Sequence, residues 1–410
     1  MSEADNALLD TVQRQTLSYF WDFAHPVSAM ARERSNSVPG YDYLDTVCSG
    51  GTGFGIMAML AGAARGFLPR SQALERAARI VAFLGRAENF HGVFPHFIHG
   101  ATGAAIAFSA KDDGADLVET SFLIAGLLCA RQYFSGDARA ERALREAVNA
   151  LWSAVDWHWH TRGGGDALYW HWSPRHGWDM EHFICGWNEC LITYVLAAAS
   201  PTHPIPVEAY HRGWANGAHF RNRQGYYGIE LPLGPPYGGP LFFSHYSFLG
   251  LDPRRLRDRY ADYWQQNRAH TLINRAHCIA NPNGFAGYGP DCWGLTACDG
   301  DAGYGAFCPL NDRGVIAPTA ALSAMPYTPE ESMAALHHFH ESLGDKIWGR
   351  YGFADSFNPS QNWVAASNLA IDQGPIVVMI ENFRSALLWD LFMSCREIKS
   401  GLRRLDFTMP

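Results

Sequence analysis

The sequence predicts an all-α protein, a single (α/α)6 barrel or toroid with long loops and short β-patches gathered at one mouth. Three observations predict it. Apolar residues recur at three- and four-residue steps over about a dozen segments, and long glycine-, proline- and tryptophan-rich stretches separate them. Neither a run of βαβ units nor a low-complexity linker breaks the alternation, so residues 1–410 read as one domain. Twelve helices paired as inner and outer rings describe the toroid, and the lack of a fixed-period repeat argues against a solenoid.

The first helix carries Leu8, Val12, Thr16, Tyr19, Phe20 and Phe23 on one face. Further helices are expected over 53–65, 71–86, 116–134, 138–155, 181–200, 206–221, 253–269, 317–323, 329–343 and 375–398. Ser71 is a start signal, and Thr328-Pro329-Glu330-Glu331 puts a proline in a first turn with acids near the positive end of the helix. The stretches 88–115, 156–180, 222–250 and 281–316 are expected as loops. Within them, Phe94-Pro95-His96-Phe97 and Leu168-Tyr169-Trp170-His171-Trp172 are β-like patches.

Hydrophobic residues make up 48% of the chain and charged residues 18%, which supports a sizeable core and excludes disorder. Asp and Glu number 40 against 32 Lys and Arg, a net charge of −8 with scattered carriers, so neither nucleic acid nor an anionic membrane is expected as a partner. The 14 Trp, 17 Tyr and 24 Phe suit stacking on the C–H faces of sugars. Nine cysteines, odd in number and without a C-x-x-C pair, are expected as buried free thiols. No basic stretch followed by an apolar core opens the chain, and no apolar run reaches the roughly 18 residues of a membrane span. The chain as written is therefore expected to be cytoplasmic, or periplasmic if a signal has been trimmed.

Several motifs are set aside. Ser49-Gly50-Gly51-Thr52-Gly53-Phe54-Gly55 is neither a dinucleotide fingerprint nor a P-loop, and is expected to serve loop-to-helix packing. H-E-x-x-H and G-x-S-x-G are both absent. Asp299-Gly300-Asp301-Ala302-Gly303 resembles half of a calcium loop but lacks the later glutamate, so a solvated turn is expected. No metal and no cofactor is expected.

Three segments carry chemistry. Asp112, Asp113, Asp116 and Glu119 crowd the start of an apolar helix, where Asp116 can cap and Glu119 follows about one turn on. Like charges so close raise one another's pKa, as a general acid at neutral pH requires. Glu189, flanked by Trp187 and Asn188 and followed by Leu191 and Ile192, is a charge in an apolar segment and must be paired or functional. The C-terminal half mixes rings, glycines and single polar groups around Phe243–Tyr246, Trp293, Arg350-Tyr351 and Asp372-Gln373. That mixture fits a cleft for neutral hydroxylated ligands. Trp187, Asn188, His245, Tyr246, Trp293, Arg350, Tyr351, Asp372 and Gln373 are the expected substrate contacts.

Asp116-Leu117-Val118-Glu119-Thr120-Ser121-Phe122-Leu123, Gly186-Trp187-Asn188-Glu189, Ser200-Pro201-Thr202-His203, Phe243-Ser244-His245-Tyr246-Ser247, Trp293-Gly294-Leu295-Thr296-Ala297, Pro326-Tyr327-Thr328-Pro329-Glu330 and Ile371-Asp372-Gln373-Gly374-Pro375 occur in this order. Together they resemble glycoside hydrolase family 144, the endo-β-1,2-glucanases, and the related glycoamylase-type domains of cyclic β-1,2-glucan synthases. The resemblance implies an (α/α)6 barrel, metal-free inverting hydrolysis of β-1,2-glucan to short oligosaccharides, and an acidic cleft formed by Asp112, Asp116, Glu119 and Glu189. Within that set Glu189 is expected as the general acid and Asp116 as the base, with Glu119 and Asp112 holding water or sugar hydroxyls. Exo-acting release, transglycosylation, or an epimerase or lyase using His245, Tyr246 or Tyr351 are the alternatives.

Overall fold

The fold follows from which helices are apolar all round and which only on one face. The protein is described by a computed structural model over residues 2–38, 41–217 and 219–409. Its helices are α1 (Glu3–Asp22), α2 (Ser49–Ala64), α3 (Arg70–Leu84), α4 (Leu117–Tyr133), α5 (Arg139–Ala154), α6 (Leu191–Ala199) and α7 (Tyr263–Ala280). They continue with α8 (Pro318–Leu322), α9 (Pro329–His337), α10 (Gly344–Ile347), α11 (Ala370–Ser385), α12 (Leu387–Ser394) and α13 (Arg396–Arg404). Helices α2, α4, α6, α8 and α11 are buried over most of their length. By contrast α1, α3, α5 and α13 bury one stripe and face solvent on the other. An apolar helix has to be surrounded and an amphipathic one has to surround, so the chain forms two layers. In contact terms α2 lies between α4 and α11, α1 backs α2 and α11, α5 backs α3 and α4, and α13 backs α6.

The α2–α4 crossing is unusually close. A Cβ added at Gly53 would collide with the Phe122 carbonyl, and one at Gly126 with the Gly53 carbonyl. Only glycine allows the two backbones this approach, so the glycine-rich stretch from Ser49 packs helix on helix, as expected from its sequence. The start of α2 lies further N-terminal than expected, because Ser49–Thr52 are already helical and buried.

Strands are short. Thr46–Cys48, Phe97–His99 and Ala105–Ile106 form a three-stranded antiparallel sheet, and Ala115–Asp116 pairs with His171–Trp172. The second pair fixes the start of α4 against a loop more than fifty residues away in sequence.

Four expected helices are corrected. Of the 206–221 segment only Ala209–Trp214 is helical, as a π-helical turn ahead of a strand that begins at Arg221. Only Leu191–Ala199 of the 181–200 segment is helical, because Glu181 and Gly186 take positive φ and break it. The helix expected over 253–269 begins instead at Tyr263, where Asp262 accepts from the Gln265 N–H, since Arg255 has φ 67°. The 375–398 segment divides into α11, α12 and α13 at Ala386, φ 60°, and Cys395. A smaller correction concerns α3, which starts at Arg70 without a side-chain cap from Ser71.

All nine cysteines are free thiols, most of them buried. Among the described residues no helix is long and apolar enough to cross a membrane.

The glycine crossing predicts that Gly126→Ala lowers unfolding stability by about 1–3 kcal/mol, the usual cost of overpacking. Gly344→Ala, where an added methyl meets nothing within 4 Å, should leave it unchanged. Urea unfolding of the two purified variants beside the parent protein checks both.

Candidate active site

At the N-terminal ends of the buried helices opens a cavity of about 750 Å³ lined by Glu119, Glu189, His96, Trp170, Tyr246 and Asp299, among others. Its walls are set by helix starts. Cys48 precedes α2, Glu119 lies in the first turn of α4, Glu189 stands just before α6, and Ile371 opens α11. The N-terminal end of a helix favours negative charge, so carboxylates gathered there are partly compensated by the backbone.

Asp116 is fully buried and caps α4. Its Oδ1 accepts from the Val118 and Glu119 N–H groups at 3.0 and 2.9 Å and from the Trp170 indole N–H at 3.0 Å. Its Oδ2 accepts from His96 Nδ1 at 3.1 Å. Burial opposes its ionisation, but the His96 hydrogen bond and charge and the capping N–H outweigh it and hold the carboxyl below its usual range. Asp116 does not line the cavity.

Glu119 does. Its Oε2 accepts from the Gly50 N–H at 2.7 Å, and Oε1 has no hydrogen-bond partner among the described residues. Burial pushes its pKa up against the pull of His96. Asp112 sits beside His171 Nε2, at 3.4 Å, and burial with the Asp116 charge pushes it up to about 7. Asp113 points outward to Arg175 at 2.5 Å.

Glu189 is 8% exposed and reaches the cavity without a side-chain partner among the described residues. Burial, reinforced by the Glu119 and Asp116 charges, pushes it up to about 7. That is the condition of a carboxyl able to give a proton near neutral pH.

A second acidic group forms the other wall. Arg34 grips Asp299 with both terminal nitrogens at 3.2 Å and donates from Nε to Glu33 at 3.0 Å, while Tyr41 donates to Glu33 at 2.9 Å. Ser367 donates to Asp299 at 2.5 Å. Asp299 therefore joins the cavity wall, while Asp301–Gly303 stay exposed, as expected of a solvated turn. Behind it lie Asp355 and Asp372, both buried; burial raises the pKa of each, with the Asp299 charge adding to it for Asp355 and the Asp355 charge for Asp372.

Of the nine expected substrate contacts, Tyr246 lines the cavity. Trp187 and Trp293 are core residues, Trp187 stacking on Tyr263 at 5.7 Å. Asn188 caps the local turn at Cys190, His245 is buried beside Tyr327, and Gln373 donates to the Phe353 carbonyl. Asp372 lies behind the wall, and Arg350 and Tyr351 pack against α1. The sequence reading missed His96, Phe108, Arg34 and Glu33. The crowding of rings and histidines at 157–172 was the signal for Trp170. Phe108 stacks on His96 at 4.3 Å.

The sequence profile of the glycoamylase family, described as "Putative glucoamylase", matches residues 181–396. An exo β-1,2-glucooligosaccharide sophorohydrolase (non-reducing end) of Parabacteroides distasonis is 44% identical over 98% of this chain. The chain spans 58% of that relative's length. The structure of an endo-β-1,2-glucanase from Chitinophaga pinensis, complexed with sophorotriose and glucose, superposes with a TM-score of 0.97 at 53% identity, covering 100% of this chain and 99% of that one. An endo-β-1,2-glucanase from Talaromyces funiculosus shares the fold, with a TM-score of 0.68 at 12% identity over 98% and 90% of the two chains.

With four donors on Asp116, Asp116→Ala strands buried N–H groups and should cost about 1–3 kcal/mol of stability. Asp116→Asn keeps the Oδ1 acceptor and should cost less than half as much. Thermal unfolding of the pair checks the order.

Proposed function

The chain belongs to the glycoamylase family, and from that premise we propose that it is an (α/α)6-barrel glycoside hydrolase cutting β-1,2-glucan internally, with inversion, to short β-1,2-gluco-oligosaccharides. The observation that carries the reading is the Glu189 carboxyl, without a side-chain partner among the described residues, lining the cavity and raised to about 7. Support for the substrate comes from the 53%-identical endo-β-1,2-glucanase, which this chain matches over nearly its whole length. Support for endo action comes from the same comparison, that relative being named an endo-β-1,2-glucanase.

In this reading Glu189 protonates the glycosidic oxygen as the C1–O bond breaks. A water attacks C1 from the opposite face and gives its proton to a carboxylate. Sequence alone favoured Asp116 for that second role. Asp116 has its oxygens occupied by four donors, and Glu33 and Asp299 are held by Arg34 and by Tyr41 or Ser367. Glu119 keeps one oxygen free at the cavity, so the base is assigned to Glu119 and Asp116 becomes the residue that fixes it. Trp170, Tyr246 and Trp363 offer rings to the sugars. Of the epimerase and lyase candidates neither His245 nor Tyr351 lines the cavity, and burial raises the pKa of Tyr246, which does.

Incubation with β-1,2-, β-1,3- and β-1,4-glucans and starch, followed by oligosaccharide analysis, tests the substrate. Only β-1,2-glucan should be cut, giving a spread of short oligomers; release of sophorose alone from chain ends would show exo action, and starch cleavage would overturn the assignment. Glu189→Gln should lower kcat by roughly two to four orders of magnitude with little change in melting temperature. Because Glu189 acts protonated, kcat/KM of the parent enzyme should fall as pH rises through about 7. A pH profile flat to pH 9 would remove Glu189 from the role.

A further inference from the structure

His96 lies on the cavity wall, 3.1 Å from Asp116 Oδ2, beneath the Phe108 ring at 4.3 Å and edge-on to Phe97 at 4.6 Å. We infer that His96 is a positioning residue: a histidinium, fixed between Asp116 and Phe108, that keeps Glu119 in its carboxylate form beside the bound glycan. The inference rests on the assignment of Glu119 as base, and it concerns a residue that touches neither reacting proton.

The groups facing the pair leave it this role. Around His96 stand Glu119, Asp116 and Asp112, together with His171. Burial disfavours the charged ring, yet Glu119, Asp116 and Asp112 outweigh that penalty and push its pKa up to about 9. His171 faces the same acids, but burial pushes it down to about 4 and it stays neutral. Around Glu119 stand Asp116 on its own helix, the Gly50 N–H of α2, the buried Cys48 thiol, Glu189 and the Tyr246 hydroxyl. Burial keeps Cys48 and Tyr246 protonated. Burial and the Asp116 charge oppose ionisation of Glu119, while His96 and the Gly50 N–H favour it. Arg34, on the other wall, is engaged by Glu33 and Asp299.

One ring therefore serves two carboxylates. Through the hydrogen bond it satisfies Asp116, and through space it lowers the pKa of Glu119. Stacking on Phe108 holds it in the plane that does both.

Two measurements test this. The first is the NMR titration of the His96 ring carbon in the intact protein and in Glu119→Gln. The midpoint should stand near 9 and fall by at least about one pH unit in the variant. A midpoint that does not move overturns the inference. The second is the pH profile of kcat/KM on β-1,2-glucan for His96→Asn and His96→Lys. The acid limb should move upward by about one pH unit in His96→Asn, roughly a tenfold loss on its acid side, and return toward the parent position in His96→Lys. A lower plateau with an unmoved acid limb in His96→Asn overturns it equally. Should His96→Asn fail to fold, the titration decides alone. If the parent protein does not cut β-1,2-glucan, the substrate assignment fails while the titration still judges the His96–Glu119 coupling.

Discussion

The site hangs on the backbone crossing of α2 and α4. Gly53 and Gly126 bring the two helices closer than side chains would permit. This approach places the Gly50 N–H, in the first turn of α2, against the Glu119 carboxylate in the first turn of α4. A Cβ at Gly50 would stand 2.6 Å from Glu119 Oε2, so the same absence of side chain that lets the helices meet also makes room for the carboxylate. The orientation of Glu119 is thus set by main-chain packing, which is stiffer than any single side-chain contact.

From that fixed point the charges divide. Asp116 and Glu119 belong to one helix turn and would repel if both were free. Asp116 is stabilised as an anion by two N–H groups, an indole N–H and His96, and withdraws from the cavity. Glu119 receives one N–H and the field of His96, and stays at the cavity surface. Glu189, just before α6, has neither a cation nor a side-chain partner among the described residues, and burial raises it. Environments that push neighbouring carboxyls apart in pKa separate an acid from a base within one small volume. The second acidic wall is neutralised differently, Arg34 bridging Glu33 and Asp299 with its full guanidinium. That bridge joins the loop before α2 to the loop before α8 and closes the cavity on its far side.

The helix carrying Glu119, the isolation of Glu189 and the two-layer helical character were legible in the sequence, because each depends on periodicity or on a charge standing in an apolar run. Other features depend on pairs distant in sequence. Nothing local distinguishes the saturated Asp116 from a free one, since Trp170 and His96 approach it from 54 and 20 residues away. His96 sits in a four-residue patch with no period to mark it. The grip of Arg34 on Asp299 spans 265 residues, so nothing local marks Asp299 as part of a cavity wall. Tryptophans misled in the opposite sense. Trp187 and Trp293 stand beside polar residues in sequence, but their rings fill the core, where large rings contribute most by burial. Helix boundaries failed where a residue takes positive φ, as at Gly186, Arg255 and Ala386, because only one of these three is a glycine.

The central claim is that Glu119, not Asp116, removes the proton from the attacking water. Chemical rescue tests it most directly. In Glu119→Ala the cavity gains room where the base stood, and azide, which needs no deprotonation, should restore cleavage of β-1,2-glucan and yield an α-configured glycosyl azide seen by NMR. Asp116→Ala, whose lost carboxylate lay behind the wall, should gain nothing from azide. Rescue of Asp116→Ala with none for Glu119→Ala would contradict the account and return the base to the capping residue.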